Sequence, residues 1–129
     1  MIFGNLNSRL HHQLANEHHI LGPNCFGDSS ASFSVSNNRS LLMETCESLD
    51  LCISNTLFDH ADELLVTYWG IGSSPMAPIS HRNFTIFDLC VIDICWRDAI
   101  TDVRSLRHAP LNSHHFLVVA KLTVSIPKL

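Results

Sequence analysis

Basic residues are few in this sequence. Its 129 residues include eight Lys and Arg against twelve Asp and Glu, which gives a formal net charge of −4. The basic residues are scattered along the chain rather than clustered. A protein that holds nucleic acid by charge alone normally presents a basic face. Composition alone therefore gives no support for binding to DNA or RNA.

Long apolar runs are also absent. The longest strongly apolar stretch, residues 86–95, contains Asp88 and Asp93 and is far shorter than the ~20 residues of a membrane-spanning helix. The N-terminal residues MIFGNLNSRL lack the basic start and apolar segment of a secretory signal. We therefore expect an intracellular protein, nuclear or cytoplasmic, without a membrane partner. A hydrophobic content of 46% predicts a single folded domain.

Regularly spaced cysteines are missing as well. The five cysteines are an odd number at irregular intervals, and most lie within apolar segments. Buried free thiols explain this pattern better than a disulfide framework. A zinc-binding module is an alternative, although structural zinc sites usually show paired ligands at a regular spacing. The residues of this alternative are His11, His12, His18, His19, Cys25 and His114.

The hydrophobic pattern predicts a mixed α/β fold. Residues 8–38, rich in His, Asn, Ser and Gly, are expected to form a long surface loop. One helix is predicted over residues 39–49, where Leu42, Cys46 and Leu49 recur at helical spacing beside Leu41. The strands are predicted over residues 1–3, 51–55, 64–69, 85–94, 100–106 and 116–126.

The pattern also predicts how the helix begins and which face of the last strand is buried. Asn37 or Asn38 is expected to cap the helix, because an Asn side chain can accept a hydrogen bond from the first helical turn. In the last strand every second residue is apolar, which predicts one face buried along its whole length. That face comprises Val118, Ala120, Leu122 and Val124.

Two short polar segments flank predicted strands. Asn5 and Asn7 belong to the Gly-Asn-Leu-Asn segment after the first strand, and His114 and His115 immediately precede the last one. Both segments also have ordinary structural explanations. Gly and Asn favour turns, and paired histidines before a strand are often part of an exposed loop.

Asp88 is harder to explain by structure alone. It lies inside an apolar strand-like segment, where a carboxylate loses hydration unless a partner hydrogen-bonds or neutralises it. His115 is the natural partner, because an Asp–His pair fixes the imidazole tautomer. We therefore expect Asp88 and His115 to be in contact.

The order of these motifs resembles the endonuclease/exonuclease/phosphatase superfamily. The similarity is greatest to the endonuclease region of LINE-type (non-LTR) retrotransposons and to the related craniofacial development protein 2-like proteins. It extends from about Met1 to Leu122. The motifs that carry it are GNLN, NTLF, a Tyr-Trp near a Pro turn, FDLCVID, WRDAITDVRSLR and SHHFLVVAKL.

The resemblance implies a fold. Residues 1–129 would form a partial domain, the C-terminal half of a four-layer α/β/β/α sandwich, with one mixed, mostly antiparallel sheet and a covering helix. The family's N-terminal half supplies a metal-binding Glu and a second packed sheet, and neither has a counterpart in this sequence. We therefore expect the inner face of the sheet to be exposed and to allow self-association.

The resemblance also implies roles for individual positions. Asn7 matches the family's phosphate-holding Asn, Asp88 the Asp that orients the catalytic His, and His115 that His. Asn5 replaces an Asp that acts on the attacking water or the leaving oxygen. His114 replaces an Asp that helps to hold the metal ion. The family activity is endonucleolytic hydrolysis of DNA with Mg²⁺ or Mn²⁺.

The two replacements change the chemistry that is possible. Asn5 has no charge and exchanges no proton near neutral pH, so it cannot act as a general acid or base. The His114 imidazole suits Mg²⁺ poorly and Zn²⁺ or Mn²⁺ better. We expect an endonuclease fragment that is inactive or impaired alone. The alternative is a non-catalytic remnant that binds nucleic acid or another protein.

Overall fold

The computed structural model describes residues 1–29 and 37–129. In this part of the chain helices combine with antiparallel sheets, in agreement with the predicted α/β class. The helices are α1 (Asn37–Ser48) and α2 (Asp62–Leu65), with 3₁₀ segments at Ser54–Thr56 and Ile94–Ala99. The strands are β1 (Ile2–Asn5), β2 (Leu51–Ile53), β3 (Tyr68–Trp69), β4 (Phe84–Thr85), β5 (Asp88–Asp93), β6 (Ile100–Leu106) and β7 (Leu117–Leu122).

Strand β5 is the centre of a three-stranded sheet in the order β1-β5-β2, and both pairings are antiparallel. Its residues from Leu89 to Ile92 are all buried. Alternate side chains of β5 belong to different core clusters, because successive residues of a strand point to opposite faces. The continuous apolar run of this strand therefore reflects a sheet that is covered on both faces. The expectation of an exposed inner sheet face is wrong at β5, because core clusters lie on either side of it.

Different elements cover the two faces of this sheet. Helix α1 and the segment of residues 8–29 pack on one face, where Leu10 and Met43 join the core cluster of Leu89. The antiparallel β6–β7 hairpin packs on the other, where Ile100 and Val103 are buried with Cys90. The dense packing on both sides fixes the position of β5, the strand that begins with Asp88.

The prediction of one sheet is wrong for the described residues, which form three separate sheets: β1-β5-β2, β3-β4 and β6-β7. The strand predicted over residues 85–94 divides after Thr85, and its two parts pair with different strands. At the division, the amides of Phe87 and Asp88 donate to the Thr67 hydroxyl instead of to a neighbouring strand.

The strand predicted over residues 64–69 is wrong in its first part, which belongs to helix α2. Asp62 and Glu63 lie in the first turn of α2, where negative side chains interact favourably with the helix dipole. The strand predicted over residues 51–55 ends at Ile53, because a 3₁₀ turn follows. The strand predicted over residues 100–106 is confirmed as β6.

The last strand is shorter than predicted. Strand β7 ends at Leu122, and its pairing with β6 ends where Leu122 lies opposite Ile100. Val118 and Ala120 pack against the core, whereas Leu122 and Val124 are exposed. The prediction of a face buried along its whole length is therefore wrong beyond Ala120, because Leu122 is exposed although it pairs with Ile100, and Val124 lies past the end of the strand.

Helix α1 also differs from its prediction. Its buried residues are Arg39, Met43 and Cys46, whereas Leu49 follows the helix and is exposed. The predicted apolar face is thus rotated, because the segment of residues 8–29 packs against the side that carries Arg39. Asn37 and Asn38, expected as caps, are themselves helical residues.

Residues 8–29 form a packed segment rather than the expected surface loop. The Arg39 side chain, 2% exposed, reaches into it. Its guanidinium donates to the carbonyl oxygens of Leu10 and His12 at 3.1 Å each and to both carboxylate oxygens of Glu17 at 2.7 Å. Ion pairing and backbone hydrogen bonds therefore hold a long segment that has little regular structure of its own. The rest of the predicted loop lies partly outside the described residues.

A second charged cluster fixes strand β6. The buried Asp102 carboxylate binds His60 Nε2 through Oδ1 and accepts from Arg104 Nε through Oδ2, both at 2.6 Å. Burial opposes ionisation of Asp102, but the hydrogen bonds from His60 and Arg104 outweigh it and lower the pKa of Asp102. Likewise, burial opposes ionisation of Glu17, and the bonds from Arg39 lower the Glu17 pKa.

All five cysteines are free, as expected, but Cys95 is exposed. Burial raises the pKa of the Cys25 and Cys46 thiols to about 11. These two thiols are therefore neutral at physiological pH. Together with the buried Cys52 and Cys90, they fill core space as small apolar groups.

Replacement of Arg39 by Met is expected to reduce the free energy of unfolding by about 3–5 kcal/mol, because it leaves Glu17 without its buried partner. Urea denaturation measures this loss. Arg82→Ala, which removes an exposed arginine, is the matched control and should change stability by less than about 0.5 kcal/mol. A loss in Arg39→Met no larger than that of the control would contradict the anchoring role of Arg39.

The free energy of unfolding is expected to fall in two stages as the pH is lowered. Burial and nearby Arg9 lower the pKa of His11 from its ordinary 6.5, so protonation favours the unfolded chain from about this pH downwards. Glu17 and Asp102 have lowered pKa values, and their contribution is complete above their ordinary values of 4.5 and 3.8 and is lost below them. Thermal melts between neutral pH and pH ~3 test this. A midpoint that rises on acidification would contradict it.

Candidate active site

Asp88 and His115 form a hydrogen-bonded pair at the edge of the sheet. Asp88 Oδ2 lies 2.7 Å from His115 Nδ1, so the contact expected from the sequence is present. Their side chains are 22% and 33% exposed, respectively. Because a carboxylate only accepts, Nδ1 donates, and the neutral ring therefore leaves Nε2 as an acceptor. The pair can hold an imidazole in the tautomer that general acid–base chemistry needs.

Thr67 fixes the backbone of Asp88. This residue is buried, and its Oγ1 accepts from the amides of Phe87 and Asp88 at 2.9 Å each. Its own amide donates to the Thr85 carbonyl at 3.0 Å, and its carbonyl accepts from the Phe116 amide at 2.7 Å. One threonine therefore joins β4, the start of β5 and the segment that carries His115.

Asn55 fixes the same strand from the other side. Its Nδ2 donates to the Asp88 carbonyl at 3.1 Å, and its Oδ1 accepts from the Cys90 amide at 2.6 Å. Strand β2 has already ended at Ile53, so the buried carboxamide provides the hydrogen bonds that a neighbouring strand would otherwise make. This arrangement satisfies the polar backbone of β5 where the sheet stops.

Backbone pairing beside β3 positions His115. Tyr68 and His115 form an antiparallel bridge, and the Trp69 amide donates to the His114 carbonyl at 3.0 Å. The Tyr68 ring lies 5.1 Å from both the His115 ring and the Phe87 ring, measured between centroids. An aromatic wall therefore supports one side of the Asp88–His115 pair.

Asn5 lies next to this pair in the sheet. Its Cα is the antiparallel partner of the Asp88 Cα in the β1–β5 register, and directly opposed residues project to the same face. Asn5 Oδ1 accepts from the Asn7 amide at 2.9 Å, and Asn7 adopts a left-handed backbone with φ 46°. Asn38 Nδ2 donates to the Asn7 carbonyl at 3.2 Å. Asn5 and Asn7 therefore form the turn that the sequence allowed, beside the Asp–His pair.

His114 has different partners from His115. Its ring stacks on Trp69, with centroids 3.8 Å apart and an angle of 21° between the planes. Its Nδ1 lies 2.9 Å from the Trp69 carbonyl oxygen. The position that the sequence resemblance assigns to a metal ligand thus carries a ring whose contacts are with Trp69 and Tyr68.

The donor groups of this site do not fit a magnesium ion. Mg²⁺ favours oxygen ligands, usually one or two carboxylates. The site offers one carboxylate, Asp88, which is bonded to His115, beside the neutral amides of Asn5 and Asn7. Across residues 1–29 and 37–129, no group of three or more His, Cys, Asp or Glu side chains is arranged to hold a metal ion.

The residues of the zinc alternative have other contacts. His19 is hydrogen-bonded to Glu47, and the Cys25 thiol donates to the Gly22 carbonyl at 3.6 Å. His114 stacks on Trp69 in a different part of the fold. The structure therefore does not gather these side chains into one site among the described residues.

Two residues that fix the site, Thr67 and Asn55, carried no predicted role. Each is a polar residue that follows a run of apolar residues in the sequence. A buried polar side chain needs hydrogen-bond partners, so this position at the end of an apolar run was the available signal. The identity of the partners depends on contacts between distant segments, which the pattern does not contain.

No protein-family model, curated protein or solved structure matches this chain. The described helices include none with the length and apolar character that a membrane crossing requires.

Replacement of Asp88 by Asn is expected to change the tautomer of His115. In the parent chain the carboxylate selects the ring with its proton on Nδ1, and a carboxamide, which both donates and accepts, removes that selection. Imidazole ¹⁵N chemical shifts at alkaline pH report the tautomer. Asp93→Asn, at the exposed end of the same strand, is the matched control. Unchanged His115 shifts in Asp88→Asn would show that the pair does not form.

Proposed function

We propose that this chain binds nucleic-acid phosphodiesters at the Asp88–His115 pair and is a partial phosphodiesterase of the endonuclease/exonuclease/phosphatase type. The observation that carries the proposal is the 2.7 Å Asp88–His115 contact with Asn5 opposite Asp88 in the adjoining strand. The proposal includes the finer fold, in which residues 1–129 contribute part of a four-layer α/β/β/α sandwich.

The polar groups of the site suit a phosphodiester. His115 Nε2, when protonated, donates to a phosphate oxygen while Asp88 balances the charge. Asn5 Oδ1 is occupied by the Asn7 amide, which leaves the Asn5 NH₂ group as a donor. An imidazole and a carboxamide on one face of the sheet thus offer donors to the two non-bridging oxygens. In this arrangement Asn5 binds phosphate and cannot activate water.

Hydrolysis by these groups alone is expected to be slow. General acid–base catalysis by one positioned side chain contributes about 10²–10⁴-fold. The hydrolysis of phosphate esters is among the slowest reactions that enzymes accelerate, so such a factor leaves the rate far below ordinary turnover. The described residues do not fit a magnesium ion. The proposed function is therefore binding, with hydrolysis absent or very weak when the chain acts alone.

Exposed residues of β1 favour a second candidate function, association with another protein or with a second copy. Strand β1 is at the edge of its sheet, and Met1, Ile2 and Phe3 are all exposed. An apolar edge strand with unpaired backbone groups is a template for pairing with another chain. Light scattering of the purified chain, with Phe3→Lys as the variant, distinguishes this association from nucleic-acid binding.

Binding of a single-stranded oligonucleotide is expected to weaken several-fold in His115→Ala, because a charge-assisted hydrogen bond to phosphate is lost. Fluorescence anisotropy at low salt measures this, with His18→Ala, an exposed histidine of the 8–29 segment, as the control. In parallel, supercoiled plasmid with Mg²⁺ or Mn²⁺ should show no nicking above background.

Two outcomes would contradict this account. Nicking by the parent that disappears in His115→Ala would show that the site is catalytically competent. Binding that is equal in the parent, His115→Ala and His18→Ala would show that His115 does not contact the nucleic acid.

The double variant Asn5→Asp, His114→Asp restores the family residues. Nicking gained by it would show that these two replacements, rather than the missing ligands, suppress activity.

A further inference from the structure

A recess adjoins the Asp88–His115 pair on the side of His114. Its volume is about 460 Å³, and its wall includes Trp69, Met76, Arg107, His114 and His115. Small-molecule sites in proteins enclose about 300–1,000 Å³, so the recess can accept a group of several rings or one nucleotide. Because His115 is part of the wall, a ligand in the recess lies beside the residue that the proposed function assigns to phosphate.

A flat aromatic surface forms part of this wall. The His114 and Trp69 rings are stacked, and His114 is an exposed residue. Trp69 Nε1 is buried and has no hydrogen-bond partner among residues 1–29 and 37–129. Exposed aromatic faces bind nucleobases by stacking, whatever the base, since every base has a π-face.

The charge of the wall differs from that of the chain. The chain has a net charge of −4, yet the described residues that line the recess include Arg107 and three histidines and no Asp or Glu. Arg107 is held in place, because Nε donates to the Pro75 carbonyl at 2.6 Å, a second nitrogen donates to the Ala77 carbonyl, and the guanidinium lies over the Phe84 ring. Arg107 forms no side-chain ion pair with the described lining residues, and the Asp88 carboxylate beside the recess is bonded to His115, so the fixed guanidinium favours an anionic ligand.

We propose that this recess binds one unpaired nucleobase, stacked on His114, with the attached phosphate at His115. The inference rests on the proposed function and adds its substrate class, single-stranded nucleic acid or a nucleotide. A base-paired nucleobase is excluded, because its faces are covered by neighbouring base pairs. In this proposal His114 stacks on the nucleobase, whereas the family residue at this position is an Asp that helps to hold a metal ion.

Tryptophan fluorescence tests this inference without metal and without turnover. Trp96 is replaced by Phe in all variants, so that the signal comes from Trp69, the other of the two tryptophans. The probes are a single-stranded oligo-dA, the same length with an abasic analogue at every position, the matched duplex, and AMP. Saturable quenching by oligo-dA is expected, with affinity roughly five-fold or more above that for the abasic strand, as one base–aromatic stack implies.

Variants of the exposed His114 separate stacking from other effects. His114→Ala should abolish the preference for oligo-dA over the abasic strand, and His114→Phe, which keeps a ring, should retain it. Circular dichroism confirms that both fold. AMP that binds with the same dependence on His114 supports the recess and identifies a free nucleotide as a sufficient ligand. AMP binding that is weaker than oligo-dA binding but still depends on His114 also supports the recess. It identifies single-stranded nucleic acid as the ligand.

Failure of this inference differs from failure of the proposed function. Equal affinity for oligo-dA and the abasic strand, with weaker binding of both in His115→Ala, would overturn the nucleobase recess alone. Equal affinity for the duplex and the single strand would also overturn it. Nucleic-acid binding that is the same in the parent and in His115→Ala would overturn the proposed function itself.

Discussion

The arrangement of the site depends on how the chain accommodates a carboxylate at the start of an apolar strand. Asp88 begins β5, and its neighbours Leu89 and Cys90 are buried. Its backbone amide and that of Phe87 share a single acceptor, the Thr67 hydroxyl, while the carboxylate pairs with His115. Without these partners, groups at this position would lose hydration and gain nothing in return.

The same threonine determines the shape of the surrounding fold. Because the Thr67 hydroxyl accepts hydrogen bonds from the amides of residues 87 and 88, the apolar run of residues 85–94 cannot continue as one strand. The chain instead passes from the β3–β4 pair to the β1-β5-β2 sheet at this point. Thr67 also binds the Phe116 amide, which brings His115 within reach of Asp88. The division of the sheet and the assembly of the pair have a common cause.

Local sequence patterns predicted those features that depend on one segment or on one strong physical need. Strand β6 has its predicted bounds, and the Asp88–His115 contact follows from the desolvation of a carboxylate in an apolar segment. The patterns failed for features that depend on contacts between distant segments of the chain. The buried face of α1 is set by Arg39 and its bonds to residues 10–17, and an arginine is not an apolar signal.

Asn5 and His114, the two residues at which the sequence departs from the pattern it resembles, have consistent structural consequences. Asn5 accepts from the Asn7 amide and thereby stabilises a turn, and His114 stacks on Trp69. Each residue makes contacts that a metal-bound carboxylate would not make. Together they favour a site that presents hydrogen-bond donors and an aromatic face. Such a surface suits the recognition of a phosphodiester better than its hydrolysis.

Direct observation of His115 tests this account best. The chain, with its histidine rings isotopically labelled, is titrated with a dinucleotide phosphodiester in the absence of metal, and the ring resonances are followed by NMR. The account predicts a saturable change at His115, no change at His60, which is bonded to Asp102 elsewhere in the fold, and a smaller change at His115 in Asp88→Asn. A His115 resonance that does not move, or that moves no more than His60, would contradict the central claim that this pair contacts the phosphodiester.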